Sequence, residues 1–292
     1  MESASEYGPV IQRALLTREL VKLRKSYGMT QEAVAHGLDW SHAKVMRLES
    51  GKQGIKKADL MALLHLYGAD EDKIGRNLKE LATLSKTRAW WDKYREDVSE
   101  GYLRYVGYEA GAATIKHSQT AVIPGLLQTR PYAEEVARLW APDRSKSVVD
   151  IRMARQGKIR ERSNPPEEVY VLDEAVIHRW VGGEQKIHLM LEQIEHLISI
   201  SEEPNISLHV IPFGSGFHGG LKGPFTILGF HGVLEDVLYM ESRRTCEITF
   251  DPKSVAACQQ VFGDLIENHA LDCGRSRTKL KQVLEDMRPK GK

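Results

Sequence analysis

The chain has 292 residues, 41% of them hydrophobic, enough for two domains with real cores at the usual roughly 100 to 200 residues per domain. Lys and Arg number 41 and Asp and Glu 40, so overall charge gives no argument for nucleic acid, a membrane surface or an acidic substrate, and any such argument is local. Cys246, Cys258 and Cys273 are odd in number and lack CxxC spacing, which speaks against a disulfide scaffold or a zinc site; with no signal-like head and no apolar run of about 18 residues, a cytoplasmic protein is expected.

In chain order, apolar residues recur at three- and four-residue spacing from Val10 to Tyr67, in short segments separated by polar turns. This predicts helices at about 12–26, 30–37, 41–50, 57–67 and 71–84, with Thr30 and Ser41 as N-cap hydroxyls of two short consecutive helices. The run from 84 to 109, rich in aromatic and charged residues, reads as a docking helix rather than a linker. Beyond it, VYVLD (169–173), ISLHVIPF (206–213), PFTILGF (224–230) and DVLYME (236–241) read as strands bounded by Gly, Pro, Asn and Asp. Helical patterns fall at about 132–140, 147–162 and 186–201; another opens at Asp251 and Pro252, and a last one runs from Ser276 to Met287. The expected architecture is an all-α N-terminal domain of five helices, residues 1–86, followed by an α+β domain, residues 87–292.

The helix pair at 30–50 has the parts of a helix-turn-helix, in which a first helix braces and a second enters the major groove of DNA. Val34, Ala35 and Leu38, then Trp40, Val45 and Leu48, form a continuous apolar wedge. At about 100° per residue, Ala43, Met46 and Arg47 face away from Val45 and Leu48, flanked by His42 and Lys44. An Arg on that face suits guanine O6 and N7, and Ala43 and Met46 suit a thymine methyl. Residues 1–60 hold 10 Lys and Arg against 7 Asp and Glu, with Lys52, Lys56 and Lys57 clustered past the second helix. The expected base readers are Gln31, His42, Ala43, Lys44, Met46 and Arg47. The expected phosphate contacts are Arg24, Thr30, Ser41, Lys52, Gln53 and Lys57.

GMTQEAVAHGLDWSHAKVMRLESG resembles the helix-turn-helix of the phage-repressor and Cro type, also called the xenobiotic response element family, through Gln31, Ala35, Val45, Arg47, Leu48, Glu49 and Gly51. The resemblance implies sequence-specific DNA binding and transcriptional regulation, as a dimer on an inverted-repeat operator. Where that family has a turn glycine this chain has Asp39, with Gly37 inside the preceding helix; Asp tolerates the left-handed conformation such a turn needs.

The second domain resembles the partner domain of actinobacterial regulators of the WhiJ-like, antitoxin-like kind. The resemblance rests on Trp90 and Trp91, IPGLLQTRPYA (123–133), RMARQ (152–156), VLDEAVIHRWVG (171–182) and VIPFGSGFHGGLKGPFTIL (210–228). It implies a small BldB-like protein partner. An antitoxin-like module whose main work is holding that partner is the first alternative, and a small-molecule sensor is the second. The candidate partner or ligand region is Trp90, Trp91, Pro124, Gly125, Leu126, Leu127, Gln128, Thr129, Phe217 and His218.

GSGFHG (214–219) formally has the glycine spacing of a dinucleotide cradle, but a strand rather than a helix follows it, so a loop joining two strands and covering a pocket is expected. His209, His218 and His231 follow no short ligand spacing, and Asp173, Glu174 and Glu241 come with no recognisable nucleophile. No metal, cofactor or catalytic constellation is expected, and an enzyme is not.

Overall fold

Leu16, Leu20 and Leu23 stripe one face of the first helix, α1 (Pro9–Ser26), and are buried in the computed structural model, which describes residues 7–70, 72–241 and 246–288. The helix opens three residues before the expected start at about 12, because Pro9 stands at its first turn, where its fixed φ is preorganised and its missing N–H costs nothing. The chain divides into two compact units, Met1–Asp92 and Lys93–Lys292.

In the first unit α1 is followed by α2 (Gln31–Gly37), α3 (His42–Glu49), α4 (Lys57–Leu66) and α5 (Lys73–Leu84). Thr30, Ser41 and Asp72 each accept a backbone N–H of the helix they cap. Val34, Val45, Leu48, Leu60, Leu63, Leu64 and Leu78 close the core between them. The run from 84 to 109 is not one helix. A 3-10 turn spans Trp90–Tyr94, and α6 (Glu100–Glu109) starts afresh where Ser99 accepts from the Tyr102 N–H at 3.2 Å. The serine captures a backbone donor that a continuous helix would have used internally.

The second unit is built on one mixed six-stranded sheet. β1 (Thr114–Gln119), β2 (Glu167–Asp173), β3 (Ile206–Ile211), β4 (Phe225–Gly229), β5 (Val237–Glu241) and β6 (Cys246–Thr249) lie in the order β3-β2-β1-β4-β5-β6. β1, β2 and β3 run parallel, and β4, β5 and β6 continue antiparallel from β1. α7 (Arg130–Trp140) and α8 (Ser145–Arg160) lie between β1 and β2; the short α9 (Glu174–His178) and α10 (Ile187–Ile200) lie between β2 and β3. α11 (Pro252–Asp264) lays Val255 and Phe262 on Val171, Ile227 and Leu238 of the sheet. It ends in one π-helical turn, Leu265–His269, before α12 (Cys273–Met287).

Two strands, β1 and β6, are absent from the sequence expectation. β1 reads TIKHSQ and has no apolar alternation, yet it pairs on both sides in the middle of the sheet. Its histidine is held there on one side of the ring: His117 Nδ1 lies 2.8 Å from Thr226 Oγ1, and the ring stacks on Tyr170 at 5.1 Å. The last helix opens one turn earlier than expected, on Asp272, which accepts from Arg275 N at 2.8 Å. Ser276 is fully buried; its hydroxyl accepts from Val210 N and donates to Leu271 O, tying α12 to β3.

Burial pushes the His117 imidazole down to about 3, with Arg155 adding to the shift. The folded state keeps this ring neutral while the unfolded chain protonates its own below about pH 6.5, so the contribution is complete above that pH and is lost as pH falls toward the folded value. Denaturant unfolding at about pH 6.5 and about pH 4.5 should show a loss of about 2–3 kcal/mol from this group. The His117→Gln variant should lack that part of the slope; equal slopes in both proteins would remove His117 as its source.

Candidate functional site

Two capped helices and the four residues 38–41 between them set the geometry of the site in the first unit. The Trp40 N–H reaches the Ala35 carbonyl at 2.8 Å, and Asp39 takes φ 55, the left-handed value its place in the turn demands. The glycine of this region, Gly37, answers a different need. A Cβ there would come within 3.2 Å of Leu66 Cδ1, so the end of α2 sits against α4.

With Val45 and Leu48 turned inward at 2% and 6% exposure, His42, Ala43, Met46 and Arg47 line the exposed side of α3. Arg47 Nε donates to Gln53 Oε1 at 3.1 Å, and the His42 ring lies 3.2 Å from Glu32. Lys52, Lys56 and Lys57 are exposed on the segment that follows. Thr30 and Ser41 are exposed, and their hydroxyls accept from Ala33 N and Lys44 N.

Three of the expected DNA contacts are otherwise engaged. Arg24 is buried, donates to both oxygens of Glu49 at 2.6 and 2.9 Å, and reaches the Met29 carbonyl at 2.6 Å. Its hydrogen bond to Glu49 raises its pKa further. Gln31 Nε2 donates to Glu49 Oε2 at 2.9 Å, so one carboxylate joins α1, α2 and α3. Lys44 lies half-buried with Nζ 2.7 Å from Asp59 Oδ1 and 3.5 Å from the Trp40 ring centroid. Periodicity set Lys44 beside the outward face of its helix, and Arg24 was expected on a phosphate; their partners Glu49 and Asp59 stand 25 and 15 residues away.

In the second unit the PGLLQT segment does not present an open wall. Pro124, Leu126, Leu127 and Gln128 are buried, and Thr129 caps α7. Their backbone is held by amides: Gln156 Nε2 donates to Gly125 O and Gln128 O, both at 2.8 Å, and Gln193 donates to Leu127 O at 2.7 Å and accepts from Thr129 N at 2.8 Å. Beside them Arg155 grips Glu109 at 2.7 and 2.6 Å, with the Tyr105 hydroxyl donating to the same carboxylate at 2.5 Å. Burial works against the Arg155 charge, and Glu109 outweighs it, holding its pKa well above the ordinary value. Trp91 is buried edge-on to Trp90 at 5.4 Å in the first unit.

The GSGFHG loop runs from β3, at the sheet edge, to β4, which pairs with β1, so it passes the ends of two intervening strands. It leaves Phe213 and Phe217 exposed at 62% and 84% and turns His218 inward at 4%. His218 Nε2 lies 3.2 Å from Asp173, whose other oxygen caps α9 by accepting from Ala175 N. Glu174 is occupied by Lys279 at 2.6 Å, Phe213 N at 2.7 Å and His178 at 3.1 Å. His209 bonds the Leu271 carbonyl instead of joining His218.

Residues 15–76, which contain these capped helices and their exposed face, match the family described as a helix-turn-helix domain. Residues 102–282 match the family described as a domain of unknown function, DUF5753. The chain belongs to the DUF5753 family. The DUF5753 match takes in the whole sheet and the Glu109–Arg155 cluster. No curated protein and no solved structure matches the chain. The helix-turn-helix domain gives this DUF5753 protein DNA binding, and with it transcriptional regulation, as its coarse function. Among the described residues no helix is long and apolar enough to cross a membrane.

Proposed function

We propose that this chain is a sequence-specific transcriptional regulator that binds an inverted-repeat operator as a dimer, and that its second unit controls this binding through a small BldB-like protein partner. The observation that carries the DNA reading is the exposed face of α3, where His42, Ala43, Met46 and Arg47 stand together while the helix's apolar side is buried. Arg47 is the guanine reader in this scheme, with Ala43 and Met46 against thymine methyls. Lys52, Lys57 and Gln53 hold phosphates. Arg24, Gln31 and Lys44 position α3 from behind rather than touching bases.

The test separates reading from grip. Arg47→Ala should cost about 1–3 kcal/mol on the best site found by genome-wide mapping, and much less on random DNA. Lys52→Ala should weaken both alike and lower the salt slope by about 1. Indistinguishable losses for the two variants across both DNAs would overturn these roles.

A further inference from the structure

The chain leaves α3 by a reversal that returns it over the last turn of the same helix. Gly51 takes φ 67, a left-handed value that side chains rarely adopt, and two residues later the Gln53 N–H donates to the Arg47 carbonyl at 3.1 Å. Ile55 is buried and pins the far end of this segment to the core. Residue 53 is thereby fixed beside Arg47, and its side chain makes a second bond to the same residue: Arg47 Nε donates to Gln53 Oε1 at 3.1 Å. A guanidinium only donates, so the amide has to turn its oxygen toward Arg47 and keep both Nε2 hydrogens for other partners. Among the described residues nothing accepts from those hydrogens, nor from Nη1 and Nη2 of Arg47.

The partner of Arg47 is neutral, which matters for a residue that meets DNA. Lys44, on the flank of the same helix, is spent on Asp59, and Glu49 is taken by Arg24 and Gln31. No carboxylate of the described residues pairs with Arg47, so its charge stays available to the duplex. We infer that Gln53 is a positioning residue for base reading: it holds Nε and leaves the Nη1–Nη2 edge as the pair of donors free to meet guanine O6 and N7 end-on. The inference rests on the reading above, in which Arg47 contacts guanine. The side-on approach, through Nε and one Nη, is closed while Gln53 is in place, and the free Nε2 of Gln53 remains for the phosphate contact. One hydrogen bond between exposed side chains adds little to folding stability. Its effect lies in the orientations that Arg47 no longer has to give up on binding, so specificity rather than stability registers its loss.

Binding of the full chain is measured on the best site found by genome-wide mapping and on copies of that site in which each guanine–cytosine pair is exchanged in turn. The pair at which Arg47→Ala loses discrimination is the one that Arg47 reads. Gln53→Met keeps the length of the side chain and removes its acceptor and donors. Beyond any uniform weakening, it should cut the preference for that guanine about threefold to tenfold, and leave the preference at every other pair unchanged. In an Arg47→Ala background the same substitution should leave the preference there unaltered. Gln53→Glu keeps the acceptor, so it should retain the preference while binding every sequence more weakly, because its charge opposes the phosphates. The preference is a ratio within one protein sample, so a partly unfolded variant shifts both sites alike and does not imitate the effect. The clamp is overturned if Gln53→Met weakens all sites equally, if its loss of preference persists without Arg47, or if Gln53→Glu loses the preference as fully as Gln53→Met. Should Arg47→Ala lose discrimination at no pair, the base-reading assignment itself fails and the clamp with it; should it do so while Gln53→Met does not, the clamp alone fails.

Discussion

Glutamine in place of Glu109 is expected to cost the second unit about 3–5 kcal/mol, because it leaves the Arg155 guanidinium desolvated with no counter-charge. Glu109 and Arg155 are 1% and 5% exposed, so water cannot replace the lost partner. The remaining contact of Arg155, a 2.5 Å hydrogen bond to the Tyr102 hydroxyl, carries no opposing charge. Replacing both partners, Glu109→Leu with Arg155→Met, should recover most of the loss, since an apolar pair of similar volume needs no compensation. Urea denaturation of the parent and the two variants checks this. A single variant within about 1 kcal/mol of the parent, the range of an exposed pair, would mean that the charges are solvated in solution.

The second large effect is expected at Glu49. Glu49→Ala removes the acceptor of two Arg24 bonds and one Gln31 bond at once, and leaves Arg24 buried and unpaired. A loss of about 3 kcal/mol or more in the stability of the first unit should follow. Operator affinity should fall with it, through a smaller folded population and a misplaced α3, and moderate cooling should restore part of the affinity. Arg47→Ala should behave in the opposite manner, with an unchanged melting midpoint and lost discrimination. Helix melting read beside DNA binding separates the two. Equal stability of Glu49→Ala and the parent would show that Glu49 does not brace the three helices.

The five helices of the first unit were legible because their signals are local. Thr30 and Ser41 satisfy N–H groups two or three residues on, and the stripe through Val45 and Leu48 repeats at the helix period. Even Asp39 was foreseeable, as one of the few side chains at ease at φ 55. In the second unit the four strands with apolar runs were legible in the same way. β1 was not, because Lys116, His117 and Ser118 show no strand alternation; what admits them to the sheet centre is Thr226 and Tyr170, more than 50 residues distant.

The candidate site divides along the same line. Amphipathic period and caps determine by themselves that α3 buries Val45 and Leu48 and exposes Ala43, Met46 and Arg47, since each depends on neighbours within one or two turns. The duties of Arg24, Gln31, Lys44 and Arg155 were decided only by the tertiary structure. A long charged side chain reaches far enough to meet a partner from any element packed beside it, and whether it is spent on a carboxylate or left free depends on which element that is.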